Sequence, residues 1–307
     1  MESLLKWAIL NGATANEDAP PRSAAETAAA QERMKNLDPA VIDAILGKPA
    51  SVQMTECLDA LEHPETPLNA REIALDDLEM LVENIDNASN LQPLQLWPRI
   101  AKLYKDPFPT VRSGALWVSG TAVQHNPNAQ KAFPALSQVL AVLREDDDVT
   151  VRAKALYCVS AFVRANVNGL QQFVALDGLR TLVDLVKESN GVLREKALFL
   201  LRALVDEAMD EETPEELRPG RHLVDAVLEL GVVKAAAEAV SQAGEDVGTL
   251  EKALALVAAL AAATDGSKRE VAECALLRDA LGHAADAPQN DWAVDEIKEI
   301  NKLIGQS

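Results

Sequence analysis

Four segments of this chain repeat one six-residue pattern: an aliphatic residue or Ala, then Arg, two variable residues, then Ala-Leu. They are Ala70-Arg71 to Ala74-Leu75, Val111-Arg112 to Ala115-Leu116, Val151-Arg152 to Ala155-Leu156 and Leu193-Arg194 to Ala197-Leu198. The arginines stand 41, 40 and 42 residues apart. A period of this size belongs to helical arrays in which no unit buries its apolar face alone, so each must stack on its neighbours. The pattern therefore predicts a solenoid, whose long surface suits binding.

Further landmarks keep the period. Asn126 and Phe133 are each followed 40 residues later by Asn166 and Phe173. A fifth copy, Thr249-Leu250-Glu251-Lys252-Ala253-Leu254, retains Ala-Leu but has Leu where Arg stood, and lies 56 residues after Arg194. The 14 extra residues fit Asp206 to Arg221, where Asp210, Glu211, Glu212, Glu215 and Glu216 with Pro214 and Pro219 read as a solvated acidic loop. Degeneracy of the last copy suits a terminal repeat that faces solvent.

Within each unit the apolar spacing is helical, as in Val151, Ala155, Leu156, Val159 and Phe162. Asp148 suits an N-cap, and Gly191 a break before Leu193. No run of alternating β-branched residues competes. The fold class expected is all-α: a right-handed superhelical solenoid of four to five armadillo-like repeats with helical caps. Its parts are a cap over residues 36–68, the solenoid over 69–285 with the acidic loop 206–221, and a C-terminal cap over 286–307.

At 307 residues, 48% hydrophobic but only 4% aromatic, the chain can fill a long thin core with Ala and Leu. A net charge of −19 argues against nucleic acid or an anionic membrane as a general partner, since both demand a basic footprint. Cys57, Cys158 and Cys274 form no C-x-x-C pair and no even disulfide framework, and Cys158 falls in a repeat stripe as a packing residue. Residues 1–11 lack a basic n-region and a cleavage site, and the longest later apolar run, Ala253 to Ala263, is 11 residues against a span of roughly 20. The location expected is the cytoplasm, with the nucleus open as a second one, and the state expected is a monomer.

The first third is organised differently. Residues 11–35 are rich in Ala, Glu, Pro and Ser and read as a flexible linker, with an end-to-end span on the order of 25–30 Å. Before it, residues 1–10 form an apolar island in which Lys6 sits among Leu4, Leu5, Trp7 and Ile9. Two readings are open, a terminal helix capping the solenoid and a tethered peptide that docks on a partner.

Catalytic chemistry is absent from the pattern. His63, His125, His222 and His283 are scattered, without a metal-ligand spacing, and there is no phosphate loop, G-x-G-x-x-G or G-x-S-x-G. Asp76-Asp77 and Asp146-Asp147-Asp148 read as solvated faces or caps, and the sequon Asn87-Ala88-Ser89 goes unused without a secretory signal. No enzyme, cofactor or metal is expected. In nuclear-import receptors of armadillo architecture a Trp is followed four residues later by an Asn that clamps extended cargo. Here the pairs are Trp117 with Thr121, Tyr157 with Ala161 and Phe199 with Ala203, so the amide ladder is missing. The aromatics could be present merely as packing, and what remains is a groove whose arginines could engage a folded acidic surface.

Met1-Glu2-Ser3-Leu4-Leu5-Lys6-Trp7-Ala8-Ile9 resembles the N-terminus of the fungal Fes-type nucleotide exchange factors for heat-shock protein 70. Leu78 to Asn90 with Leu96-Trp97 resembles that family's most distinctive motif, and Gly120 to Asn126 resembles another. The likeness covers the N-terminal peptide and roughly residues 68–205. It implies a cochaperone that cups one lobe of the chaperone's nucleotide-binding domain with its concave face, so that ADP leaves. It also implies that the N-terminal segment, Leu4, Leu5, Lys6, Trp7 and Ile9, mimics substrate and promotes release of misfolded polypeptide, with the chaperone's substrate-binding domain as the contact open to it. Two family contact positions match here, Ala88 and Arg194. Ala88 would permit close approach, or pack a helix end. Arg194 would pair with a chaperone carboxylate, or tie one repeat to the next, as Arg112 and Arg152 are expected to do. The alternative function is an armadillo scaffold that binds peptides without exchange activity.

Overall fold

A computed structural model describes residues 47–188, 190–215, 218–244, 246–264, 274–286 and 293–304. The chain divides into two compact units, residues 1–53 and 54–307, and the repeats lie in the second. The segments expected as N-terminal peptide (1–10) and linker (11–35), with Leu4, Leu5, Lys6, Trp7 and Ile9, lie outside the described residues.

Among the described residues all regular structure is helical. In chain order the helices are α1 (Ala50–Glu62), α2 (Leu68–Val82), α3 (Ile85–Asn90) and α4 (Trp97–Lys102), then a short 3-10 turn (Leu103–Lys105). There follow α5 (Pro109–Val123), α6 (Pro127–Ala132), α7 (Leu136–Glu145), α8 (Val149–Val163), α9 (Val167–Ala175), α10 (Gly178–Lys187) and α11 (Gly191–Met209). The last are α12 (Arg221–Glu229), α13 (Val232–Ala243), α14 (Val247–Ala263), α15 (Ala275–Asp286) and α16 (Val294–Leu303).

The five copies of the hexapeptide open the five long helices α2, α5, α8, α11 and α14. These stack in that order into one layer, with α16 following on α14. The other layer runs α10, α13, α15, and α7, α10 and α13 each pack on the long helix that follows them. Every Ala-Leu step faces the seam between layers: Ala74-Leu75, Ala115-Leu116, Ala155-Leu156, Ala197-Leu198 and Ala253-Leu254 are all buried. Each Leu so buried contributes about 1.5–3 kcal/mol, and the Ala beside it lets the neighbouring helix approach. The strict recurrence of the pair follows from that seam.

The arginine has a second task. Arg112 forks Asp146 through Nε and Nη2 at 2.7 and 2.9 Å, and Arg152 forks Glu188 through Nη1 and Nη2 at 3.0 and 2.6 Å. Arg71 does the same with Asp106. In each case the acid ends the segment just before the next long helix, so every arginine staples its unit to the following one. The same guanidinium also caps its own unit, because Arg112 donates to Asp106 O at 2.9 Å and Arg152 to Leu143 O at 2.8 Å. Leu250, in the last copy, is buried instead.

The second landmarks are also structural. Asn126 and Asn166 cap α6 and α9, accepting hydrogen bonds from Ala129 N at 3.2 Å and Gly169 N at 3.0 Å. The residues before them, His125 and Ala165, turn the chain with φ of 51° and 50°. Phe133 and Phe173 are buried, and Phe133 links Trp97 to Phe162 at ring-centroid separations of 5.1 and 5.4 Å. Asp148 caps α8 as expected, accepting from Thr150 N and Val151 N. At α11 the cap is Asn190, which accepts from Leu193 N, and Gly191 is the first helical residue rather than a break. The acidic loop starts later than the sequence suggests: α11 runs on to Met209 because Val205 and Ala208 are buried along it.

Candidate functional site

Counting from the repeat arginine places one set of side chains on the open face of the long helices. Five residues on stand Trp117 in α5, Tyr157 in α8 and Phe199 in α11. Trp117 is 36% and Phe199 49% exposed, and Tyr157 is half-buried. These aromatics are not spent on packing alone: the seam is already filled by the Leu before each of them, so the ring turns outward.

Two residues on from the arginine, or from the Leu that replaces it, stand Lys154, Lys196 and Lys252, on α8, α11 and α14. The two ladders interlock, with Lys154 Nζ 3.7 Å from the centroid of the Trp117 ring, one helix back. Burial pushes the Lys154 ammonium pKa down, and the charge of Lys196 adds to this while that of Glu79 opposes it. Tyr157, Val192, Glu195, Lys196, Phe199 and Lys252 line a groove of about 370 Å3 between the long helices.

A polar chain fixes the ring in the middle. The Tyr157 hydroxyl donates to Gln124 Oε1 at 3.0 Å and lies 3.3 Å from Thr121 Oγ1, which donates to the buried Glu79 carboxylate at 2.8 Å. Gly120 makes the approach possible, because a Cβ there would fall 2.5 Å from the Tyr157 ring. Burial is the main influence raising the Tyr157 pKa, so the hydroxyl stays protonated and able to donate.

Arg112 and Arg152, expected to tie one repeat to the next, are committed with Arg71 to the staples described above, so they are not open to a partner's acidic surface. Arg194 is 5% exposed and donates to Val186 O at 3.1 Å, to Glu188 O and to Gln242 Oε1 at 3.1 Å. It therefore occupies the same tie, with an amide in place of the acid. Ala88 is 1% exposed in α3, where Asn84 caps the helix and the Asn87 amide donates to Leu81 O at 2.9 Å. The two residues lie in different repeat units, each beneath the surface. The lysine ladder is what sequence reasoning missed, although its signal was the same two-residue offset in three successive copies.

A second hollow of about 850 Å3 lies between α9 and the acidic loop, with Asn166, Gln172, Glu207, Asp210 and Thr213 among its lining. Cys158 packs in the core, where burial pushes its thiol pKa up. Among the described residues no cluster of three His, Cys, Asp or Glu could hold a metal, and no helix is long and apolar enough to cross a membrane.

Comparison with known proteins agrees with this architecture. A designed armadillo repeat protein in complex with the peptide (KR)4 superposes with a TM-score of 0.64 at 15% identity, covering 82% of this chain and 99% of that one. A computationally designed armadillo protein for modular peptide recognition gives 0.61 at 16% identity, covering 82% of this chain and all of that one. These likenesses establish the fold. Among sequences, the Hsp70 nucleotide exchange factor fes1 of Schizosaccharomyces pombe is 37% identical over 175 residues, covering 56% of this chain and 61% of the relative. FES1 of Kluyveromyces lactis is 32% identical, covering 67% of this chain and 70% of the relative. FES1 of Debaryomyces hansenii is 26% identical over 307 residues, covering 98% and 99%. The family model for nucleotide exchange factor Fes1 matches residues 1–91, and that for the SIL1/FES1/HPBP1 C-terminal domain matches residues 87–222. With an armadillo solenoid behind both matches, the chain belongs to the Fes1 family.

Proposed function

We propose that this protein is a nucleotide exchange factor for a heat-shock protein 70 and acts by binding, without making or breaking a bond. The observation that carries the reading is membership of a family whose relatives bear that name. Supporting it is a face of exposed aromatics and lysines held on rigid helices, which suits a folded protein partner. The face cups one lobe of the chaperone's nucleotide-binding domain and holds the other lobe away, so that ADP departs and ATP can enter. Arg194 supports this face from beneath and Ala88 keeps α3 closely packed; neither need touch the chaperone.

Thermodynamics fixes the requirement. The factor must grip the opened, nucleotide-free chaperone better than the ADP-bound one, and ADP must weaken the factor's grip by the same ratio. Calorimetric titration of the chaperone's nucleotide-binding domain, with and without saturating ADP, tests this. The affinity is expected to drop at least about tenfold with ADP, within the usual range of coupling. Equal affinities in the two states would sink the proposal.

Residues 1–10 extend the function. Lys6 among Leu4, Leu5, Trp7 and Ile9 has the chemistry of a chaperone-bound peptide, and a tether raises its local concentration without tight intrinsic affinity. Removing residues 1–35 is expected to spare nucleotide exchange and slow release of a misfolded substrate; full-speed release by the truncated protein would refute it. The site of action is the cytoplasm, with the nucleus as a second location, and the working species is a monomer.

A further inference from the structure

We infer that the lysine ladder Lys154, Lys196 and Lys252 is an acid-reading surface, which sets how the partner lies along the long helices by engaging a row of its carboxylates. This rests on the proposed exchange function for the partner's identity, but not for its chemistry.

In a chain of net charge −19, most cations should find a carboxylate at home. Many of the arginines do: Arg99 pairs with Asp59 and Glu62, Arg164 with Glu207 and Arg202 with Asp206, in addition to the staples of Arg71, Arg112 and Arg152. The ladder behaves differently. Lys154 rests on the Trp117 ring, and neither it nor Lys196 has a carboxylate within salt-bridge distance among the described residues. Lys252 reaches Glu195 only at 3.7 Å. Three ammonium groups thus recur at one register position of three successive long helices, two of them without a salt bridge among the described residues and beside aromatic rings. An aromatic core with charges around it that meet a complementary potential is how an interface fixes register.

The face is also polarised. The positions equivalent to the ladder are Ile73 in α2 and Gly114 in α5, and the position equivalent to Trp117 in α2 is Asp76. Cationic character therefore rises from α2 towards α14, while the first helix offers an apolar and an acidic side chain. An acidic partner surface has one favourable orientation, with its carboxylates over α8 to α14. The overall negative charge opposes approach, so the ladder supplies the local attraction that offsets it over α8 to α14 and fixes register.

The test compares two variants of equal net charge. One carries Lys154→Gln, Lys196→Gln and Lys252→Gln; the other carries Lys131→Gln, Lys187→Gln and Lys234→Gln, at exposed sites off the ladder. Association with the chaperone's nucleotide-binding domain is measured by stopped flow across ionic strength. The ladder variant is expected to associate at least about tenfold more slowly at low salt and to lose attraction in its salt slope, while the control stays within about twofold of the wild type. Equal behaviour of the two variants would overturn the inference. Should the wild type bind no chaperone, so that the exchange proposal itself fails, poly-L-glutamate serves as the acidic probe. Protection of Lys154, Lys196 and Lys252 from amine acylation, beyond that of Lys131, Lys187 and Lys234, then upholds the ladder, and absence of that protection overturns it.

Discussion

Replacing Arg194 by Ala separates two roles that share one position. The side chain donates to Val186 O, Glu188 O and Gln242 Oε1 while 95% hidden from solvent, so its loss strands acceptors at the junction of α10, α11 and α13. Water can reach the exposed Gln242 amide but not readily the Val186 carbonyl, in the last turn of α10. One stranded buried acceptor and the loss of charge-assisted bonds together are expected to destabilise by about 2–4 kcal/mol. That lowers Tm by about 5–15 °C for a body of this size. Because a solenoid's stability is a sum over neighbouring units, the loss should be local, with α11 to α14 opening before α2 to α8. Urea unfolding followed at 222 nm, with hydrogen exchange resolved by helix, measures both. Gln242→Ala, an exposed partner, is expected to change stability by less than about 1 kcal/mol. An Arg194→Ala protein with an unchanged urea midpoint but lost chaperone affinity would show that the residue contacts the partner directly and that the staple reading is wrong.

Trp117→Ala removes an exposed ring from the face and nothing from the core. Chaperone affinity should fall about 10- to 100-fold with helical content unchanged, and retained affinity in a titration would remove Trp117 from the interface. Cys158, raised in pKa by burial, should resist a thiol-disulfide reagent in the native protein and react only on unfolding, whereas half-buried Cys57 and Cys274 react sooner; rapid native labelling of Cys158 by mass spectrometry would contradict the packing. Burial pushes the Asp146 carboxyl up, yet hydrogen bonds from Arg112 and Asp148 N and the charges of Arg112 and Arg152 outweigh it and hold the pKa below its ordinary value. Thr249, then the charge of Arg194, does the same for Asp246. A depressed folded pKa gives stability that is full above the unfolded value near 4 and is lost as pH falls through the folded one. Tm should therefore drop below about pH 4, and Arg112→Ala should flatten that drop; an identical acid profile in the variant would refute the assignment.

Much of this architecture was legible in the sequence, for a physical reason. The Ala-Leu seam and the arginine recur because every unit must meet an identical neighbour, so one contact is written many times. The caps at Asp148, Asn126 and Asn166 are local and therefore visible in short motifs. What could not be read was direction. Whether Trp117, Tyr157 and Phe199 pointed into the seam or out of it depended on the register between layers, and that was set by the buried Leu just before each. Nor could the sequence tell that Arg194 would be spent on Gln242, 48 residues away, since the long loop had shifted the next unit out of its usual spacing. Lys154, Lys196 and Lys252 were overlooked because lysines on helices are ordinarily solvated; only their shared face, in a chain this acidic, makes them informative.

The central claim is that the open face of the long helices drives nucleotide from a chaperone. Stopped-flow release of a fluorescent ADP analogue from a heat-shock protein 70 tests it most directly, with the wild type and Trp117→Ala compared at equal concentration. The account predicts that the wild type accelerates release and that the variant does so only at much higher concentration. No acceleration by a folded, helical wild type, or equal acceleration by the variant, would contradict it.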